Sequence, residues 1–242
     1  PAEGGVGASV HRVLVRHAPL VAAGFGRIAV TRAASYHEVH SEYGVHWNFF
    51  FTLAAVAAST PVIERAAQAM MAAAGAAGTP GTAGAPPSSS SSPPPPSSSS
   101  STALAALAAL VIVLHQAALS LCGLSAYVRD ESAPRVGLLS ANKEGLASLP
   151  GYLALSLAGR AASRPLLRVR RTLREWWRDV AWQLLTFALL LGCSAAADVT
   201  VEPSSRRLCN LSYVLWVAAQ VAGVLGCATL ASIAASLAPS SA

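Results

Sequence analysis

Charge is scarce in this chain: only 12% of its 242 residues are Asp, Glu, Lys or Arg, about half the share of a soluble globular domain. Acids are scarcer still, 11 against 17 Lys and Arg, which leaves a formal net charge of +6. The basic and aromatic residues form no groove pattern of the kind that binds nucleic acid, so the positive charge needs another account. The arginines cluster beside apolar runs, as the positive-inside bias of membrane proteins requires. Cysteine is limited to four residues with no CxxC pair, which excludes a disulfide framework and a zinc ribbon. Cys122, Cys193 and Cys227 stand within apolar runs and read as inert small thiols. His37 and His40 are spaced i, i+3 but have no third ligand, so no metal site is expected. There is no internal repeat. The chain opens at Pro1 without methionine, basic n-region or cleavage signal, so it reads as a piece of something longer and not as a secretory precursor.

What is abundant is apolar sequence: 53% of the residues. The expected fold is all-α, a polytopic transmembrane bundle of about five to six segments. Val10–Val30 is the weakest of these, interrupted by Arg12, Arg16, His17 and Arg27, since a span needs about 20 mostly apolar residues. A second segment runs from Val45 to Ile63, and a third from Ala103 to Val128 with His115, Gln116 and Ser120 inside it. The shorter piece Leu146–Gly159 carries Pro150-Gly151-Tyr152 and is expected to be kinked or partly unwound. Val180–Ala197 and Leu211–Ile233 complete the set. Three stretches follow: 1–65, a disordered Ser/Pro-rich loop at 66–102 whose composition cannot bury enough apolar surface to offset ordering, and 103–242.

Seven arginines between residues 160 and 179, with Trp176-Trp177 beside them, place that stretch at a cytosolic membrane surface. Counting spans outward puts 31–46, 129–145 and 198–210 together on the opposite face, and the Ser/Pro loop on the cytosolic one. Every polar stretch with a distinctive composition then shares one side. The densest is Glu42-Tyr43-Gly44-Val45-His46-Trp47-Asn48, a carboxylate, phenol, imidazole, indole and carboxamide directly before the run Phe49-Phe50-Phe51-Thr52-Leu53. Such chemistry at the mouth of an apolar helix suits an enzyme working where water meets lipid. On an ordinary core helix each buried polar group would need a partner.

That motif resembles the signature of the glycosylphosphatidylinositol (GPI) inositol acyltransferases, known in fungi as GPI-anchored wall transfer proteins. Gly26-Arg27 and Tyr36-His37-Glu38-Val39-His40 resemble the family's approach to it. Two further blocks match in order: Asn142-Lys143-Glu144-Gly145-Leu146-Ala147-Ser148-Leu149-Pro150-Gly151-Tyr152, and Ser205-Arg206-Arg207-Leu208-Cys209-Asn210-Leu211-Ser212-Tyr213-Val214-Leu215-Trp216. The resemblance covers nearly the whole chain but only the C-terminal half of the family's usual length, and the Ser/Pro insertion departs from it. It implies a multi-pass protein of the endoplasmic reticulum membrane that moves a fatty acyl group from acyl-CoA to the inositol hydroxyl of glucosaminyl-phosphatidylinositol. It implies no bound cofactor, with acyl-CoA as co-substrate. It also implies that the family's best catalytic candidates lie in an N-terminal half outside this sequence, so that this piece is inactive alone.

Acyl transfer needs a base near the hydroxyl and donors for the developing oxyanion. His46 is the base expected here, with Glu42 one helical turn before it to fix the imidazole tautomer. Lys143, Arg206 and Arg207 are expected to hold a phosphate of the lipid or of CoA. Tyr43, Trp47, Asn48, Asn142 and Asn210 complete the expected substrate contacts. The plainer account is that His46, Trp47 and Asn48 satisfy one another at a helix cap, and that Asn142 and Glu144 cap the segment after them. His115 and Gln116 are expected near the bilayer midplane, where polar groups are costly, and to bridge helices there, while the sequon Asn210-Leu211-Ser212 is expected to go unused at the membrane edge. The competing class is a non-enzymatic polytopic protein, a scaffold subunit or a transporter, and a transporter needs polar groups near the bilayer midplane.

Overall fold

The computed structural model describes residues 6–35, 40–77 and 98–237. It contains nine helices and no strand among the described residues: α1 (Val6–Ala33), α2 (His40–Tyr43), α3 (Phe49–Ala77), α4 (Ser98–Leu121), α5 (Leu124–Arg129), α6 (Gly137–Ala141), α7 (Lys143–Leu167), α8 (Leu173–Thr200) and α9 (Leu211–Leu237). Six are long and alternate in direction, so α2, α5, α6 and the turn at 201–210 gather at one end. The arginine-rich turn between α7 and α8 lies at the other.

Four of the long helices, α3, α4, α8 and α9, are long and apolar enough to cross a membrane. At 1.5 Å per residue, α1 and α7 are of spanning length too, roughly 40 Å each, but they are more polar. The protein is therefore a helical membrane protein with four spans by apolarity and six by length, against an expected five to six. α7 tolerates its polarity because protein surrounds it, packing on α3, α4 and α9 and at its mouth end on α2, α5 and α6. Leu157, Ala154 and Ser148 on it are all buried. α1 lies along α3, and α8 packs mainly on α9.

Several boundaries differ from the sequence reading, each for a local reason. The second segment starts at Phe49 and not Val45, because Gly44 has φ +104 and Asn48 caps the helix, its Oδ1 accepting from Phe50 N at 3.0 Å. α3 then continues through Pro61 to Ala77, since Ala-rich sequence has the highest helix propensity. The loop expected over 66–102 is thus helical as far as Ala77 and again from Ser98, and 78–97 lies outside the described residues. The third segment stops at Leu121, where Gly123 adopts a left-handed conformation (φ +70), and α5 is a separate short turn. Pro150 does not break its helix, and α7 is continuous from Lys143 to Leu167. At the arginine-rich end, the turn after α7 is tied to α8 through Asp179, which pairs with Arg168 and with Arg170 Nε at 2.6 Å. Thr172 caps α8 by accepting from Glu175 N.

Candidate functional site

The three sequence blocks converge at the mouth formed by α2, α5, α6 and the 201–210 turn. Gly44 carries the first block across the start of α7. A Cβ there would lie 2.6 Å from the Ala141 carbonyl oxygen and from Asn142 Cα, so contact and positive φ both demand glycine. Val45 N donates to the Ala141 carbonyl at 2.9 Å. His46 N donates to Asn142 Oδ1 at 2.8 Å, while Asn142 Nδ2 donates to the Leu138 carbonyl at 2.8 Å. Trp47 lies against Gly145 and donates from Nε1 to Thr52 Oγ1 at 2.8 Å. Asn48, fully buried, donates from Nδ2 to the Gly24 carbonyl at 3.0 Å and so ties α1 to α3.

A buried ionic network holds the second block to the third. Glu144 is completely buried and accepts a two-pronged contact from Arg135 at 2.6 and 3.1 Å. Arg207 Nη2 reaches the same carboxylate at 3.3 Å and the Val128 carbonyl at 2.6 Å. Lys143 donates to the carbonyls of Tyr127 (2.8 Å) and Asp130 (2.5 Å) and stands 4.9 Å from the Tyr127 ring centroid. A second hub forms on Glu202, which accepts from Ser125 (2.5 Å), Gln116 (3.2 Å) and Asn210 (3.5 Å) and pairs with Arg129 at 2.9 Å. Asn210 is fully buried, with Nδ2 donating to the Pro203 carbonyl and Oδ1 accepting from Ser205 N. His115 Nε2 meets the Leu208 carbonyl at 2.9 Å, and Gln116 Oε1 accepts from Leu211 N at 2.9 Å.

These contacts revise several expectations. Lys143 is buried against two backbone carbonyls and is not available to a phosphate. Asn48, Asn142 and Asn210 are structural, each with its carboxamide used on both sides, and Arg207 is engaged with Glu144 and Val128. Trp47 is partly buried with its indole N–H used. Glu42 does not orient His46. It pairs with Arg206 at 2.7 Å, because α2 ends at Tyr43 and Gly44 turns the chain away before a shared helical face can form. Arg32 takes that place, its Nη2 donating to His46 Nδ1 across 3.2 Å. With Nδ1 used as acceptor, the neutral imidazole carries its proton on Nε2 and presents a donor, not a base. His115 and Gln116 belong to the mouth and not to the bilayer midplane, since α4 ends only five or six residues beyond them. Tyr36, His37, Glu38 and Val39 lie outside the described residues, and so does the His37–His40 pair. Among the described residues no group of three metal-ligating side chains occurs.

The accessible remainder is small. Glu42 and Arg206 have side chains 52% and 51% exposed, His46 is exposed, and Tyr43 lies under the Arg206 guanidinium at 5.8 Å. Beside Arg206 opens a groove of 560 Å³ between the mouth ends of α8 and α9, lined by Asp198, Ser204, Arg206, Tyr213 and Trp216 among others. The Tyr213 and Trp216 rings stack with centroids 6.1 Å apart. Sequence reasoning missed Arg32, Arg135 and Glu202. Of these only Glu202 left a signal, as the one carboxylate between the last two apolar runs that is followed by proline.

Glu202 also sets an acid limit on the mouth. Burial pushes its carboxyl up, but the hydrogen bonds from Ser125, Gln116 and Asn210 and the charge of Arg129 outweigh that, leaving it below the usual glutamate range. A depressed carboxyl contributes stability above its unfolded value of about 4.3, and that contribution is lost as pH falls through the folded value. The thermal midpoint of purified protein is expected to drop below about pH 4, with Glu202→Gln lower at neutral pH and flatter in acid. An identical acid limb in both proteins would remove Glu202 from this role.

A bundle of membrane helices with motif-bearing loops fastened into a single mouth, leaving arginine, carboxylate, phenol and imidazole beside an aromatic groove, defines a multi-pass helical membrane protein with a polar mouth at one end. The GWT1 family pattern matches residues 3–79 and 93–241, and the chain belongs to that family. It is similar to the glucosaminyl-phosphatidylinositol-acyltransferase PIGW of Bos taurus, 32% identical over 91% of this chain and 38% of the relative. The Homo sapiens protein of the same name is 32% identical over 83% of this chain and 34% of its own length. The GPI-anchored wall transfer protein 1 of Yarrowia lipolytica is 30% identical over 88% of this chain and 41% of its own. The chain spans well under half the length of each.

Proposed function

We propose that this chain is part of an O-acyltransferase of the endoplasmic reticulum membrane, acting in GPI-anchor assembly. It would move a fatty acyl group from acyl-CoA to the inositol hydroxyl of glucosaminyl-phosphatidylinositol, with its mouth on the luminal side. In that reaction the hydroxyl oxygen attacks the thioester carbonyl, its proton passes to a base, and the C–S bond breaks to release CoA as thiol. The observation that carries the reading is the convergence of three motif blocks on one end of the bundle, beside the Arg206 groove, in a chain whose relatives bear the acyltransferase name. Arg206 holds the lipid phosphate, and Tyr213 and Trp216 offer faces against which the apolar side of a sugar ring packs. His46, whose Nδ1 is taken by Arg32, donates from Nε2–H to the oxygen that gains charge and leaves proton abstraction to another group. The scaffold or transporter alternative is less well supported, because His115 and Gln116 are consumed by backbone and side-chain partners at the mouth.

The full-length gene in cells lacking inositol acylation tests this reading. Arg206→Gln is expected to raise KM for the lipid about tenfold, the loss of a charge-assisted contact. His46→Ala is expected to lower kcat about a hundredfold, as for removal of one oxyanion donor, while both variants accumulate normally because the side chains are exposed. Full acylation by both variants at limiting substrate would sink the assignment of this mouth to catalysis.

A further inference from the structure

At the end opposite the mouth lies a cavity of 810 Å³ between α1, α3 and α7, which shares no residue with the site described above. Arg16 and His17 reach it from α1, Thr60, Glu64 and Arg65 from α3, and Arg160 from α7. Glu64 is fifteen residues beyond the start of α3, about 22 Å along its axis, and so within a hydrocarbon thickness of about 30 Å measured from the mouth. Charged side chains at that depth are costly unless they face a cavity and a partner. Arg160 has one, since it pairs with Glu64. Arg16 and Arg65 have no ion-pair partner among the described residues. The floor is closed by the Thr60 and Ser156 hydroxyls, 2.9 Å apart.

We infer that this cavity binds a phosphomonoester, with Arg16 and Arg65 as its two cationic walls. Two unneutralised guanidinium groups match a phosphomonoester, which carries about −1.5 to −2 charge at pH 7, better than a singly charged phosphodiester. Arginine forks meet phosphate oxygens in pairs. The volume falls in the ordinary range for small-ligand sites, about 300–1,000 Å³. The neighbouring arginine-rich turn marks this end as cytosolic, the side on which basic pockets between membrane helices take lipid phosphates. The ligand is then either an anionic lipid of that leaflet with a terminal phosphate, or a soluble phosphate ester entering from the same side.

The test uses purified full-length protein in nanodiscs of phosphatidylcholine with added phosphatidic acid, with retained lipid read by native mass spectrometry. Phosphatidic acid is expected to be held in preference to phosphatidylglycerol, its phosphodiester counterpart, and to be released as salt is raised. Arg16→Gln with Arg65→Gln is expected to weaken retention about a hundredfold, and the double lysine variant, which keeps charge but loses the forks, about tenfold. Both variants should elute as wild type, because neither arginine is paired in the fold. Displacement by millimolar glycerol 3-phosphate assigns the site to a soluble ester, and failure to displace assigns it to the lipid; each supports a phosphomonoester site. Equal retention by wild type and the double glutamine variant, or no discrimination between the two anionic lipids, overturns it.

Discussion

Glu144→Ala is expected to cost the protein about 3–5 kcal/mol, the penalty for breaking a buried ion pair by removing one partner. The carboxylate is completely buried and is shared by Arg135 at 2.6 Å and Arg207 at 3.3 Å, so its loss leaves Arg135 without its ion pair and Arg207 with only the exposed Glu131 at 3.5 Å. The substitution should collapse accumulation in cells and broaden the size-exclusion profile. Glu42→Gln provides the contrast. It removes the Arg206 partner from a pair that is half exposed on both sides, where an ion pair contributes about 0–1 kcal/mol. Equal expression and equal thermal midpoints for Glu144→Ala and wild type would show that the network does not hold the mouth together.

Gly151→Ala is the second large effect. A Cβ at that position would stand 2.0 Å from the Cys209 carbonyl oxygen and 2.8 Å from its Sγ. The obstacle is backbone, in a turn where Cys209 itself has φ +48 and is fully buried, so it cannot swing aside as a side chain tip does. Overpacking of this kind costs about 1–3 kcal/mol, and α7 and the 205–210 turn must separate. With Cys122, Cys193 and Cys227 replaced by serine, Cys209 in the variant should react with a maleimide that wild type resists. Gly159→Ala is the control, because nothing lies within 4 Å of its Cβ position. There alanine is expected to be neutral or to stabilise the helix by about 0.5–1 kcal/mol. Protection of Cys209 in Gly151→Ala would contradict the close packing of α7 on this turn.

The features legible in the sequence were those written in local pattern. Apolar runs of spanning length marked α3, α4, α8 and α9, and arginines beside Trp176-Trp177 marked the end opposite the mouth. Asn48, a carboxamide before Phe49-Phe50-Phe51, was readable as a cap. Partnerships across the fold were not readable. Glu144 meets Arg135 nine residues earlier and Arg207 sixty-three residues later, and no periodicity announces either. Lys143 looked free because its acceptors are backbone carbonyls, which every residue carries. The expected Glu42–His46 pair failed on one torsion, since helical spacing means nothing once Gly44 turns the chain. Pro150 suggested a break, yet α7 is packed on several sides and continues through it.

The fastenings described here are unevenly distributed along the bundle. At the mouth, α3, α4, α7 and the turn leading into α9 are cross-linked by buried hydrogen bonds and ion pairs, whereas the far halves of α3 and α7 share chiefly the Glu64–Arg160 pair and the Thr60–Ser156 hydroxyl contact. Thermal fluctuation therefore has a fixed hub and free spokes: amide exchange should be slowest around residues 142–148 and 208–214 and quicken toward the arginine-rich end. A ligand arriving between α1, α3 and α7 would meet the half of the scaffold that can breathe, while the headgroup-facing rim keeps its shape.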